Sequence, residues 1–229
     1  MAVGILSIGM MLVATMFPLG MHLTAVAAER TIAAVVADAA FAKIQLFGVD
    51  TARTNNNNNC IDFNDVLPSP IVIAPVEFAY PAMEPNGTSQ YYWSALCRKV
   101  NNISSDRTVQ VIVFVSRKRG AGLTYNNNAS SMPVPVEVSV GLGTSNNKLN
   151  ITNTGDEGLI LSGCTVVDNV TGQMYRVIER SNDTGTEVVT LDRNWDNGTP
   201  APNKVWVVAP PDGGGADPVI AVFQKLIKF

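Results

Sequence analysis

The sequence predicts an α+β fold. One long N-terminal helix, membrane-spanning in its first half, is followed by an antiparallel β-rich globular domain with a small barrel-like lobe at its C-terminal end. Three observations carry this expectation. Residues 2–28 contain no charged side chain. Residues 29–47 run on without Pro or Gly, in an amphipathic pattern. From about residue 90 onward, short β-branched and aromatic runs alternate with turn-forming residues, the spacing of an antiparallel meander or barrel. The expected division is a helix over 1–47, a first β-rich lobe over 48–141 and a second antiparallel lobe over 142–229.

The helix comes first. The stretch AVGILSIGMMLVATMFPLGMHLTAVAA is apolar throughout, and a bilayer core of ~30 Å needs about 20 helical residues to cross it. As one helix, residues 2–46 extend on the order of 65 Å at ~1.5 Å per residue. Gly4 and Gly9 lack side chains and let neighbouring helices approach closely. Pro18 removes a backbone hydrogen bond, so a kink or a locally melted turn is expected there. His22, the only histidine, is expected to face a helix interface or the headgroups. After Glu29, the residues Ile32, Val35, Val36, Ala39 and Ala40 recur at helical spacing and make one apolar stripe for a β-domain to pack on. Gly48 closes the helix.

Residues 50–70 are rich in Asn and turn residues and read as a loop. Pro68, Pro70 and Pro75 keep IVIAPVEFAY from being a central strand. QYYWSALCRKV and RTVQVIVFVSRKR, separated by a polar turn, read as a hairpin; Tyr91, Tyr92 and Trp93 are expected to cover the sheet or the helix as aromatic core, with a binding platform as the alternative. PVPVEVSV is the next strand. Beyond Gly141 come LILSGCTVVDN, QMYRVIER, TEVVTLD and KVWVVA, with Asp-Asn and Thr-Gly turns supplying left-handed positions. DPVIAVFQKLIKF is one more apolar strand.

The run VGILSIGMMLVATMFPLG, continued by a polar segment with Glu29 and Arg30, resembles the N-terminal helix of type IV pilins and pseudopilins. The likeness lies in length, in small and branched apolar residues, and in the Pro18 that interrupts the apolar half. That family's processing site, a basic leader ending in Gly and then F-T-L-x-E, is not among residues 1–229. The segments GQMYRVIER and VWVVAPP look like the C-terminal part of pilin-like proteins. The resemblance implies a structural subunit held in the cytoplasmic membrane by a single pass, with its β-domain facing the periplasm or the exterior. It implies self-assembly, or assembly with other pilin-like subunits by a pilus or secretion machinery, into a type IV pilus or a type II secretion filament. The competing expectation is an exported β-rich binding or surface protein, with a signal peptide cut at the small residues Ala25-Val26-Ala27.

Charge and chemistry narrow the classes further. Only 15% of residues are charged and the net charge is -3, so nothing points to nucleic acid as a partner. The short basic run Arg117-Lys118-Arg119 reads as a solvated turn. The three cysteines have no metal-type spacing; one bridge between Cys60 and Cys97 is preferred, with three buried thiols as the alternative. No enzyme is expected, because the region after the helix has no histidine and no nucleophile, phosphate-loop or dinucleotide motif. The one candidate metal site is a calcium loop of Asp192, Asn194 and Asp196, with oxygen ligands at alternate positions. Its sixth position is Asn197 and its closing position Asn203, and ordinary Asx turns explain it equally. Asp212 and Asp217 bracket a second candidate cation turn. Sequons at Asn86, Asn102, Asn128, Asn150, Asn169, Asn182 and Asn197 mark segments expected to be polar and exposed.

Overall fold

The computed structural model describes the backbone of the chain except residues 1, 56–58, 82–88, 102, 104–105, 119–121, 126–129, 184 and 196–202, and the side-chain surroundings of 2–9, 12, 13, 15, 55, 183 and 203 are outside the description as well. The helix α1 runs unbroken from Ala2 to Phe47. It stays helical through Pro18, so the melted turn expected as one outcome there does not form; the proline still removes one backbone N–H. Gly48, at φ 78°, donates its N–H to the Ile44 carbonyl at 2.9 Å and ends the helix in the left-handed conformation that glycine adopts without steric cost.

Strands β1 (Ile61–Asp62), β2 (Ala79–Tyr80), β3 (Tyr91–Lys99) and β4 (Thr108–Arg117) follow. The remaining strands are β5 (Pro135–Leu142), β6 (Lys148–Ile151), β7 (Thr165–Asp168), β8 (Met174–Asp183), β9 (Thr186–Leu191), β10 (Asn203–Val208) and β11 (Val219–Lys228). Two antiparallel assemblies result. One is an open sheet in the order β1-β3-β4-β11, with β2 also on β3; the other is a closed barrel in the order β10-β5-β6-β9-β8-β7. The sheet therefore takes its last strand from the C-terminus of the chain. The barrel, residues 135–208, is inserted between β4 and β11. This differs from the expected lobes 48–141 and 142–229, because β5 belongs to the barrel and β11 to the sheet.

The three layers are helix, sheet and barrel. On β4, Val109, Val111, Val113 and Val115 face α1, while Ile112 and Phe114 face the barrel together with Leu96 of β3. Burial on both faces explains why this strand reads as a nearly continuous apolar run. The barrel strands alternate in the same way. Val205 and Val207 of β10 point into the barrel core, and Trp206 and Val208 point out toward the sheet. On β7, Val166 points in and Val167 points out.

The same period of two decides the cysteines. Ile61 pairs with Cys97, so Cys97 lies in the core under the helix, and Cys60 lies in the layer between sheet and barrel. Both are free thiols, as is Cys164, and the preferred Cys60–Cys97 bridge is not formed. Side chains on opposite faces of a sheet have diverging Cβ vectors, which a disulfide does not span.

Candidate functional site

The helix has two environments. In its second half Ala33, Val36, Ala37, Ala40, Phe41 and Ile44 are buried against the sheet. The small residues among them let the helix backbone lie close to the valines of β4. Lys43 pins this half by donating from Nζ to the Glu77 carboxylate at 2.6 Å and to the Glu77 carbonyl at 2.7 Å. A second ion pair, Glu29 with Arg117 at the end of β4, stands where the helix leaves the domain.

Before Glu29 the surroundings reverse. Every described side chain from Met10 to Ala25 is exposed, with Met10 at 75% and Phe17 at 71%. Exposed large residues at 10, 11, 16, 17, 19, 21 and 23 cover all sides of a 3.6-residue helix, so no polar face exists. A helix that is apolar all round belongs in a core or in lipid. Thr24 in this region donates to the Gly20 carbonyl at 2.8 Å, as Thr31, just beyond Glu29, donates to the Ala27 carbonyl at 3.0 Å. Both hydroxyls bond within the helix and so present less polarity outward. Gly20, Thr24 and Ala28 follow one another at four-residue spacing. A Cβ added at Gly20 would meet nothing within 4 Å, so this stripe is a shallow notch that no described residue fills. His22 is exposed within the same stretch. The surroundings of Gly4 and Gly9 lie outside the described side chains. Among the described residues no helix is long and apolar enough to cross a membrane; the apolar run read from the sequence begins at Ala2, partly outside them.

The candidate calcium loop is only partly placed. Asp192 is exposed and its Oδ1 accepts the backbone N–H of Arg176 at 3.1 Å, so this carboxylate caps a strand. Asn194 is exposed, and Asp196 lies outside the described residues. Asp217 also serves the backbone, accepting from the Val219 N–H at 2.9 Å. Among the described residues no three His, Cys, Asp or Glu side chains gather as metal ligands.

Sequence reasoning missed the junction between sheet and barrel. Asp168, fully buried, accepts from the N–H groups of Val170 and Thr171 at 3.1 and 3.2 Å and from the Thr171 hydroxyl. The turn so formed carries Asn169, whose carbonyl takes the Cys60 N–H at 2.7 Å and whose side chain takes the Trp206 Nε1 hydrogen at 2.9 Å. Asn169 is 3% exposed, so the expectation that the sequons mark exposed segments fails there. Its carbonyl ties the barrel to the segment leading into β1, while its side chain braces the turn against β10 of the barrel itself. The Asx-then-Gly pattern DNVTG is a local signal for the turn; its long-range partners leave no trace in sequence.

A long N-terminal helix packed on an antiparallel sheet is a pilin-like arrangement. Comparison with protein-family models, with curated proteins and with solved structures returns no match.

Proposed function

We propose that this chain is a pilin-like or pseudopilin structural subunit. The apolar half of α1 anchors it in the cytoplasmic membrane and then assembles, beside copies or relatives of the chain, into the core of a type IV pilus or type II secretion filament. The observation that carries this reading is the one helix with two environments, packed on the sheet from Ala33 onward and, among the described residues, exposed on every side from Met10 to Ala25. Exchanging lipid for protein around such a helix gains little hydrophobic energy, so close packing decides the partner. The Gly20-Thr24-Ala28 notch is the surface that permits close packing. The barrel would then stand outermost, because it lies on the opposite face of the sheet from α1.

The second reading, a cleaved and exported β-protein, draws on one feature. Among the described residues the first buried helical side chain is Ala33, so a cut after Ala27 or Ala28 spares the packed half. Membrane fractionation, mass spectrometry of the mature N-terminus and negative-stain microscopy of sheared cells separate the two. Membrane-bound and filamentous material containing residues 16–28 is expected. A soluble monomer beginning at Ala28 or Glu29 overturns the proposal in favour of the second reading.

A further inference from the structure

One end of the closed barrel carries a cleft. At that end the β8–β9 hairpin turns, the segment 152–164 crosses from β6 to β7, and the chain leaves β10 on its way to β11. The cleft, about 730 Å³, is lined by Glu157, Ser162, Arg180, Asn182, Glu187 and Asp217 among others. Barrel mouths are common places for small-molecule sites.

Strand register explains how a guanidinium comes to stand there. Val177 pairs with Leu191 and Arg180 with Val189, and Val177, Val189 and Leu191 all belong to the barrel core. Residues directly opposite in a sheet share a face, so Arg180 lies on the inner face, as does Asn182 opposite Glu187. Strict alternation from Val177 would have placed Arg180 and Asn182 outside. The register shift between Val177 and Glu179 reverses the alternation, and bulges at barrel rims re-aim side chains in this way. Glu187 is 3% exposed; its Oε2 accepts the Gly158 N–H at 3.2 Å and its Oε1 pairs with Arg180 Nε. The Arg180 side chain, held at Nε, is still 35% exposed. Among the described residues it makes no other ion pair. Its Nη edge, a planar fork that fits a carboxylate, is therefore left to the cleft.

The remaining charges do not suit a simple anion. Glu187 already balances Arg180, and Glu157 and Asp217 make the rest of the lining acidic. Glu157 is exposed, and among the described residues it makes no ion pair. We infer that this cleft is a binding site for a small amino-carboxylate zwitterion, with its carboxylate on Arg180 and its ammonium group on Glu157. A ligand with the carboxylate alone meets the acidic wall, and one with the ammonium group alone leaves the guanidinium fork unused.

The test uses the full chain in maltoside micelles at neutral pH, with the backbone amides of Gly163 and Gly215, both in the lining, as NMR reporters. The probes are glycine, β-alanine, γ-aminobutyrate and ε-aminohexanoate, a series in which the two charges move apart, with butyrate and butylamine as single-ended controls. At least one zwitterion shifts both amides saturably, while butyrate and butylamine bind about tenfold more weakly or worse. Glu157→Gln, at an exposed position, weakens that zwitterion about tenfold and does not weaken butyrate. Arg180→Lys keeps a cation beside Glu187 but loses the fork, and weakens the zwitterion about tenfold without weakening butylamine. These opposite contrasts are not produced by general damage to the fold. Equal binding of either single-ended control, or no shift with any of the series, overturns the inference. In the last case Arg180 neutralises Glu187 and does nothing more.

Discussion

The side-chain amide of Gln110, on β4, donates from Nε2 to the carbonyl of Gly172 across 3.2 Å and so fastens the open sheet to the β7–β8 turn of the barrel. Its Oε1 simultaneously accepts from Arg98 at 2.7 Å, so both ends of the amide are used. Gly172 is required here twice. Its φ is 67°, and a Cβ would stand 2.6 Å from Gln110 Nε2.

Replacing Gly172 with Ala is therefore expected to cost about 2–4 kcal/mol, the left-handed backbone penalty plus a displaced and partly unsatisfied amide. Gln110→Ala strands the Gly172 carbonyl and costs about 1–3 kcal/mol. The double variant should cost less than the sum, because removing the amide vacates the space the new methyl needs. Chemical denaturation of the four proteins gives the coupling directly; strict additivity would mean the two residues do not lock the layers.

The thiols make a prediction at alkaline pH. Burial pushes Cys60 and Cys164 up to about 12 and raises Cys97 as well. The folded chain then keeps protons that the unfolded chain, with thiols near the ordinary value of 9.0, has released. Stability linked to these groups is fully present below pH 9 and is lost as pH rises from there through about 12. Folded protein should resist alkylation near neutral pH, where the reactive thiolate is absent. Labelling by iodoacetamide with and without denaturant checks this. Fast modification of folded protein would contradict the burial.

Asp106, in the turn between β3 and β4, moves the other way. Hydrogen bonds from Thr108 and Asn101 hold its carboxyl down to about 2; the Asn101 Nδ2 bond is 2.7 Å and the Thr108 N–H bond 2.9 Å. Any stability it lends is present above the ordinary carboxylate value of 3.8 and is lost as pH falls through about 2. A carbon-detected NMR titration should place its midpoint well below the ordinary carboxylate value of 3.8, and Thr108→Val should move it up.

Much of this architecture is legible locally. The end of α1 at Gly48, the β3–β4 hairpin and the short strands of the barrel each follow from periodicity and turn residues within a dozen positions. The assignment of β11 does not, because its partner β4 lies about a hundred residues upstream and antiparallel pairing carries no local signature. One clue was present in VQVIVFV. Consecutive apolar residues in a strand indicate two buried faces, and a second buried face requires a second layer, which the barrel supplies. The cysteine pairing failed for the same reason, since which face Cys60 occupies is decided by its register against Cys97. The packing of Phe78 on Trp93 was illegible as well. Phe78 and Trp93 meet only because the chain loops out between β1 and β2, and nothing near either residue announces the other.

The two halves of α1 should separate cleanly under mutation. Ala40 is fully buried against the sheet, and Ala40→Leu overpacks that seam at a cost of about 1–3 kcal/mol. Phe17 is 71% exposed and touches no buried cluster, so Phe17→Asp should leave domain unfolding within about 0.5 kcal/mol of the parent. Its effect should fall on the membrane and the assembly instead. A carboxylate near the middle of a spanning helix costs about 2.5–3.5 kcal/mol on insertion scales, and a filament core has no better place for it. Thermal unfolding in micelles, membrane retention in cells and filament yield by microscopy, measured on both variants, form a crossed pair. Ala40→Leu lowers stability, while Phe17→Asp lowers retention and yield. If Phe17→Asp instead unfolded the domain and left membrane retention intact, the exposed half of α1 would have to pack on its own chain in the cell, and assembly through it would be ruled out.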